Sequence, residues 1–369
     1  MTYIKLKIVS FFSIVLLFTS CNKKKEQNQL QTLNKEDSVP ETSWLDTIQK
    51  QTINYFWDGA EPHSGLARER LHMDNVYPTS PKNTITTGGS GFGLMAILVG
   101  IERGYIARED ALNRYLKVVD FLEKADRFHG AWPHWMDGET GKVYPFSQKD
   151  NGGDLVETAF LVQGLLTVSE YFKDGNEKEK RLVSKIDKLW KEVEWDWYTQ
   201  GKDVLYWHWS PEYAWEMNFP VGGYNECLIM YVLAASSPTH PINKAVYQKG
   251  WARNGAIVSN DSLYGKALVL DYYESDNAAV GPLFWAHYSY LGLNPKGLTD
   301  QFADYWKLTQ NQSIIHYKYA LENPKHFKGY GANLWGLTSS YSIKGYAGHR
   351  PGADVGVISP TAALSSFPY

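Results

Sequence analysis

A chain of 369 residues, 43% of them hydrophobic, has ample material for a large core in one or two domains. Its formal net charge of −3 gives no long-range attraction to nucleic acid, so a polyanion-binding role built on charge is excluded. The aromatic content is the unusual figure: 14 Trp and 25 Tyr, several beside His, Asp and Gly in loop-like sequence, point to an aromatic-lined ligand groove.

Residues 1–21 read as a secretory signal: Lys5 and Lys7, the apolar run Ile8 to Phe18, then Thr19-Ser20-Cys21. The run is too short to span a bilayer comfortably as a mature helix. A small residue before a lone cysteine resembles a bacterial lipobox and predicts cleavage before Cys21 and acylation of its thiol. Phe18 stands where such motifs usually carry an aliphatic residue. Residues 22–42 are polar with few large apolar side chains, which suits a tether that buries too little to fold.

From Ser43 the pattern is helical. Trp44, Leu45, Ile48, Thr52, Tyr55 and Phe56 recur at three- and four-residue steps, as do Leu112, Tyr115, Leu116, Val119 and Leu122, and then Leu182, Ile186, Leu189 and Val193. Further apolar helices are predicted at 92–103, 155–172, 224–235, 242–251, 282–291 and 299–322. Strand-like alternation is confined to short stretches at 203–208 and 267–272. The class is therefore all-α. Successive helices of similar length, joined by long Gly- and aromatic-rich loops, predict a two-layered helical array or toroid. Roughly ten helices fall short of a six-pair ring, and Ser359-Pro360 begins one more just before the chain ends. The ring's last helices are expected to lie past residue 369.

Residues 129–166 concentrate the chemistry. A loop carries Trp132, His134, Trp135, Asp137, Glu139, Tyr144 and Phe146, a helix follows, and at the joint stand Asp150, Asp154 and Glu157, all three on one face if the turn begins near Asp150 and only the last two if Gly152-Gly153 break it. Acids beside aromatics suit a carbohydrate, whose hydroxyls need acceptors and whose C–H faces need flat apolar platforms. Asp154 and Glu157 also read as a helix-start pair, an N-cap carboxylate with a glutamate three residues on, and one residue can both cap and line a cleft. Trp207, His208 and Trp209 are further candidate contacts. His134 and His208 could bond a sugar hydroxyl or serve as satisfied structural histidines.

Other chemistries lack support. Gly88-Gly89-Ser90-Gly91-Phe92-Gly93 fits neither nucleotide-binding spacing and reads as close backbone packing at a helix start, with a share in lining the cleft. Ten histidines without H-x-x-x-H pairs, and no C-x-x-C, argue against zinc, and no metal or other cofactor is expected. No G-x-S-x-G elbow is present. Cys227 reads as a small core residue, so no disulfide is expected in the mature chain. What remains is carboxylate chemistry. Glu226 follows Val221-Gly-Gly-Tyr-Asn225 at the start of an apolar helix, where a carboxyl facing a partly dry cleft keeps its proton, or where the helix dipole simply favours a glutamate.

Several stretches together resemble a known family: Ser64 to Arg70, Thr87 to Gly93, Gly130 to Gly141, Asp154-Leu-Val-Glu-Thr158, Gly222-Gly-Tyr-Asn-Glu226, Phe284 to Ser289 and Gly356 to Leu364. The resemblance is to the glucoamylase-like lipoproteins of Bacteroidetes, glycoside hydrolase family 144, and runs from about residue 43 to the end. It implies an (α/α)6 barrel and inverting hydrolysis of β-1,2-glucan without metal or cofactor. The family's acidic cluster falls on Asp150, Asp154 and Glu157, and its key glutamate on Glu226. The family's fold continues for about two more helices with a further functional aspartate. Expected partners are a glucan or its oligosaccharides and, through Cys21 alone, a membrane; the chain is expected to be a monomer. A non-catalytic glycan-binding lipoprotein and an α-glucan hydrolase are the alternatives. If Cys21 is acylated, Cys21→Ala will abolish palmitate labelling and release the protein from the membrane fraction.

Overall fold

The computed structural model describes residues 41–272 and 280–369. The signal segment, Cys21 and the tether up to residue 40 lie outside the described residues. Two units are distinguished, one ending at Thr52 and a main body, Ile53–Tyr369, that carries the candidate site. The long elements are helices: α1 (Glu41–Trp57), α2 (Thr87–Glu102), α3 (Arg108–Leu122), α4 (Leu155–Phe172), α5 (Glu177–Lys191), α6 (Leu228–Ser236), α7 (Leu283–His287), α8 (Tyr305–Glu322) and α9 (Pro360–Ser365). Among the described helices, none is long and apolar enough to cross a membrane.

Helices alternate between two kinds. In α5 the buried Leu182, Ile186, Leu189 and Trp190 fall on one face, the lysines face water, and a reciprocal capping box of Asn176 and Glu179 starts the helix. In contrast α4 is apolar nearly all round and buries residues from Leu155 through Phe172. Such a helix needs neighbours on several sides, and α4 packs against α2, α5 and α6, while α3 packs against α2 and α5. Helix α8 begins at Tyr305 rather than near Thr299, because the Asp304 carboxylate accepts the Lys307 N–H and fixes the start there.

Glycine decides how closely α2 meets α4. A Cβ on Gly91 would lie 2.0 Å from the Phe160 carbonyl oxygen, and one on Gly164 would lie 2.2 Å from the Gly91 carbonyl oxygen. The two backbones are in direct contact at these points, which only glycine permits. The close packing read from the Gly88 to Gly93 run is thus a property of the fold.

Short strands sit at the helix starts, so the all-helical expectation holds for the long elements only. An antiparallel sheet joins β1 (Thr84–Thr86), β2 (Trp135–Asp137) and β3 (Val143–Tyr144). A two-residue pairing joins β4 (Gly153–Asp154) to β5 (His208–Trp209), and a hairpin pairs β6 (Ser262–Leu263) with β7 (Lys266–Ala267). β1 runs directly into α2, and β4 directly into α4. The stretches expected as strands at 203–208 and 267–272 give little more than bridges, Tyr206 to Pro220 and Leu270 to Val258. Gly91→Ala is expected to cost at least about 1–3 kcal/mol in urea unfolding, because backbone atoms cannot yield as side chains do. Gly331→Ala, with open space around the site of its Cβ, should stay within about 0.5 kcal/mol of wild type.

Candidate active site

Asp154 ends β4 and caps α4. Its Oδ1 accepts the Glu157 N–H at 2.8 Å, and its Oδ2 accepts the Trp207 indole N–H at 3.0 Å. The residue has no exposed surface. Only half of a capping box forms, because the Glu157 carboxyl turns away from the cap and its Oε2 accepts the Gly88 N–H at 2.8 Å. A Cβ on residue 88 would stand 2.5 Å from that oxygen, so a larger residue there would push the Glu157 carboxyl aside. The starts of α2 and α4 are thereby joined through one carboxylate.

His134 lies among three carboxyl groups. Its Nδ1 is 3.0 Å from Asp154 Oδ2 and 3.5 Å from Asp150 Oδ2, and its Nε2 is 4.0 Å from Glu157 Oε1. The ring stacks on Phe146 at 4.1 Å and 16°, and Trp135 meets Phe146 edge-on at 4.8 Å. Burial works against a charge on His134, but Glu157, Asp150 and Asp154 outweigh it and hold the imidazole well above its ordinary value, as an imidazolium. The donor atoms of His134, Asp150 and Asp154 lie within 4.8 Å of one another, close enough for a metal ion. Binding one would require His134 to give up its proton. Asp150 is itself buried, and its Oδ1 has no hydrogen-bond partner in the protein.

Two carboxyls are displaced toward neutrality. Burial pushes Glu157 up, the His134 imidazolium pulls it back, and Asp154 and Asp150 raise it again, leaving it at about 7. Glu226 occupies the turn two residues before α6, anchored by the Ser289 hydroxyl donating to its backbone oxygen at 2.6 Å. Burial, with Glu157 and Asp154 adding like charge, pushes its carboxyl up to about 8. A buried carboxylic acid that keeps its proton at neutral pH can act as an acid, and an ionised neighbour can act as an acceptor.

The remaining candidates divide. Trp207 and Trp135 stand at the acid cluster, half-buried. Trp209, opposite Gly153 in the β4–β5 pairing, packs edge-on against Trp197 at 5.6 Å. Trp132 is a correction: it is fully buried, donates its indole N–H to the Leu122 carbonyl at 3.2 Å and lies under the Arg127 guanidinium, leaving no face for a sugar. His208 is buried with its Nε2 against the Met217 sulfur, while its Nδ1 is buried without a hydrogen-bond partner in the protein. Asp137 closes its own turn, accepting from the Glu139 and Thr140 N–H groups, and takes the Asn83 amide at 2.7 Å, which makes it a loop-forming residue. Cys227 is fully buried, and burial raises its thiol, so it is inert core. Sequence reasoning missed the Gly88 N–H as a ligand of Glu157, the stacking of Phe146 under His134, and Tyr288. Tyr288 packs with Phe92 at 4.6 Å, Phe284 at 5.1 Å and Phe160 at 5.7 Å. Phe146 and Tyr288 stood in segments already marked, but nothing local singled them out.

Raised acids make the site cost stability. Glu226 moves from an ordinary 4.5 to about 8, so between those values the folded chain holds a proton that the unfolded chain has released. Stability therefore falls as pH rises through that window, and Glu157 and His134 act in the same direction. The urea midpoint should decline from pH 5 to pH 8. Glu226→Gln should raise the unfolding free energy at pH 7 by roughly 1–3 kcal/mol, the difference vanishing below pH 4.5. A flat midpoint in wild type would show that neither carboxyl is displaced.

Relatives place these features in a family. Residues 218–369 match a family model described as "Putative glucoamylase". An exo β-1,2-glucooligosaccharide sophorohydrolase (non-reducing end) of Parabacteroides distasonis is 44% identical over 367 residues, covering 93% of this chain. The chain spans about half, 49%, of that curated relative's length. Among solved structures, an endo-β-1,2-glucanase of Chitinophaga pinensis, in complex with sophorotriose and glucose, matches at 61% identity with a TM-score of 0.87, over 90% of this chain and 80% of that one. A structure from Bacteroides caccae, described in the same words as the family model, matches at 59% identity and a TM-score of 0.87, over 89% of this chain and 80% of that one. With such identity across four-fifths of solved relatives, the chain belongs to the glucoamylase-like family of Bacteroidetes, glycoside hydrolase family 144.

Proposed function

We propose that the chain hydrolyses β-1,2-linked glucan or its oligosaccharides by inverting acid–base chemistry. The observation that carries this reading is Glu226: a buried carboxyl, held protonated near neutral pH, facing the electrostatic field of Glu157 and Asp154. Glu226 donates its proton to the glycosidic oxygen, which leaves as an alcohol. A water attacks the anomeric carbon from the opposite face, and its proton passes to a carboxylate there. Asp150 Oδ1, buried without a protein partner, and Glu157, next to the imidazolium, accept sugar hydroxyls. Asp154 is engaged by the Glu157 N–H, Trp207 and His134, so its part is to position the others. Trp135 and Trp207 offer the flat faces for the C–H surfaces of glucose units.

The fold reading goes with it. We take the alternation of all-round apolar α2, α4 and α6 with amphipathic α3 and α5 as part of an (α/α)6 toroid whose helix starts carry the site. The 44% identity to a sophorohydrolase and 61% to an endo-β-1,2-glucanase support the linkage. Anchoring at the cell envelope through an acylated Cys21 belongs to the same proposal and is supported by the pattern of residues 5–21.

Reducing-sugar release from β-1,2-glucooligosaccharides should fall by about 10²- to 10⁴-fold in Glu226→Gln, with an unchanged far-ultraviolet circular dichroism spectrum. Unchanged turnover would sink the acid assignment, and release from maltooligosaccharides instead would favour an α-glucan hydrolase. In wild type, kcat/KM should fall as pH rises past about 8, where Glu226 loses the proton it must give.

A further inference from the structure

The hairpin of β8 (Ser339–Ser342) and β9 (Gly345–Gly348) puts two tyrosines where a soluble surface gains nothing from them. Tyr341 and Tyr346 face each other across the strands, so both project from the same side. Their rings are 5.5 Å apart at 61°, and both are more than half exposed, at 56% and 64%. Ile343 at the tip is fully exposed.

The hairpin is held in place at both ends. At its base the buried His349 donates its backbone N–H to the Thr338 carbonyl at 3.3 Å, and its Nε2 lies 3.2 Å from the Ser340 oxygen. At its outer part the Tyr341 hydroxyl accepts from the Arg70 guanidinium, which also lies over the Tyr341 ring at 5.0 Å. Arg70 is paired with Glu69, whose backbone N–H donates to Thr84 in β1 at 2.9 Å. β1 runs into Gly88, the donor to Glu157. The tyrosine pair is thus braced against the segment that positions the acid cluster. The Tyr288 phenol is pushed up by burial and then by Tyr346, Glu157 and Glu226.

Resting on the glycan-hydrolase reading above, we propose that Tyr341 and Tyr346, braced by Arg70, form an outer sugar subsite that favours longer oligosaccharides over the shortest ones. A glucose unit beyond the cleavage point would lay its C–H face on the tyrosine rings, which supply the binding as flat apolar platforms. Such a platform is sequence-tolerant along a homopolymer, since every unit presents the same face. Its effect is on the binding of remote units.

The test is the ratio of kcat/KM for a long β-1,2-glucooligosaccharide to that for the shortest one cleaved. In a Tyr341→Ala/Tyr346→Ala double variant this ratio should fall about tenfold, through KM for the long substrate. A Tyr341→Phe/Tyr346→Phe variant, which keeps the flat rings, should hold the ratio near wild type. A ratio unchanged in the alanine variant, or lost equally in the phenylalanine variant, would overturn the subsite. Should wild type cleave none of these substrates, the hydrolase reading fails instead, and calorimetric titration with the same two oligosaccharides decides the subsite alone: only the long one should bind the alanine variant more weakly, and equal weakening of both would overturn it.

Discussion

Where α2 crosses α4 the two backbones touch, with no side chain between them. A Cβ on Gly91 would meet the Phe160 carbonyl oxygen at 2.0 Å, and one on Gly164 would meet Gly91. This contact fixes the relative height of the two helices, and with it the distance between their first turns. There the Gly88 N–H reaches the Glu157 carboxylate, which a Cβ on residue 88 would displace. An unsatisfied N–H at a helix start and a carboxylate suit each other electrostatically. The packing of two apolar helices and the placing of a candidate-site acid are therefore one constraint.

A single imidazolium balances the charge around it. Asp150, Asp154 and Glu157 lie within 4.0 Å of His134, which holds its proton because they surround it. Their charges reach across to Glu226, where burial already disfavours ionisation, and like charge pushes further the same way. The site thus separates its carboxyls by role. Asp154 is saturated by hydrogen bonds, Asp150 is left with an unpartnered oxygen, and Glu226 is kept protonated. A core of apolar residues of similar volume would be more stable, which is the usual relation between a strained polar site and its scaffold.

The aromatic residues divide along the same line. Trp132, Trp195 and Trp251 are fully buried and fill the core. Trp135 and Trp207 stand half-buried at the acids, and Tyr341 and Tyr346 stand further out. Trp207 links two of these levels, stacking on Phe219 at 5.3 Å while its N–H holds Asp154. Position in the sequence does not separate these duties, since Trp132 and Trp135 are three residues apart and face opposite environments.

By itself the sequence determined the helical character, most helix positions and the capping role of Asp154, and it marked Asp150, Asp154, Glu157 and Glu226 as candidate groups. These are legible because periodicity, capping pairs and glycine runs act over a few residues, where local physics dominates. Only the tertiary structure decided that Glu157 leaves the capping box for Gly88, that Trp132 and Asp137 are structural, that His208 is closed off at its Nε2, that Tyr288 packs among Phe92, Phe160 and Phe284, and that Tyr341 pairs with Tyr346 across an exposed hairpin. Each depends on what a side chain meets from a distant segment: Gly88 from Glu157, Leu122 from Trp132, Met217 from His208 and Arg70 from Tyr341. Burial and hydrogen-bond saturation are set by those partners, and no local pattern encodes them.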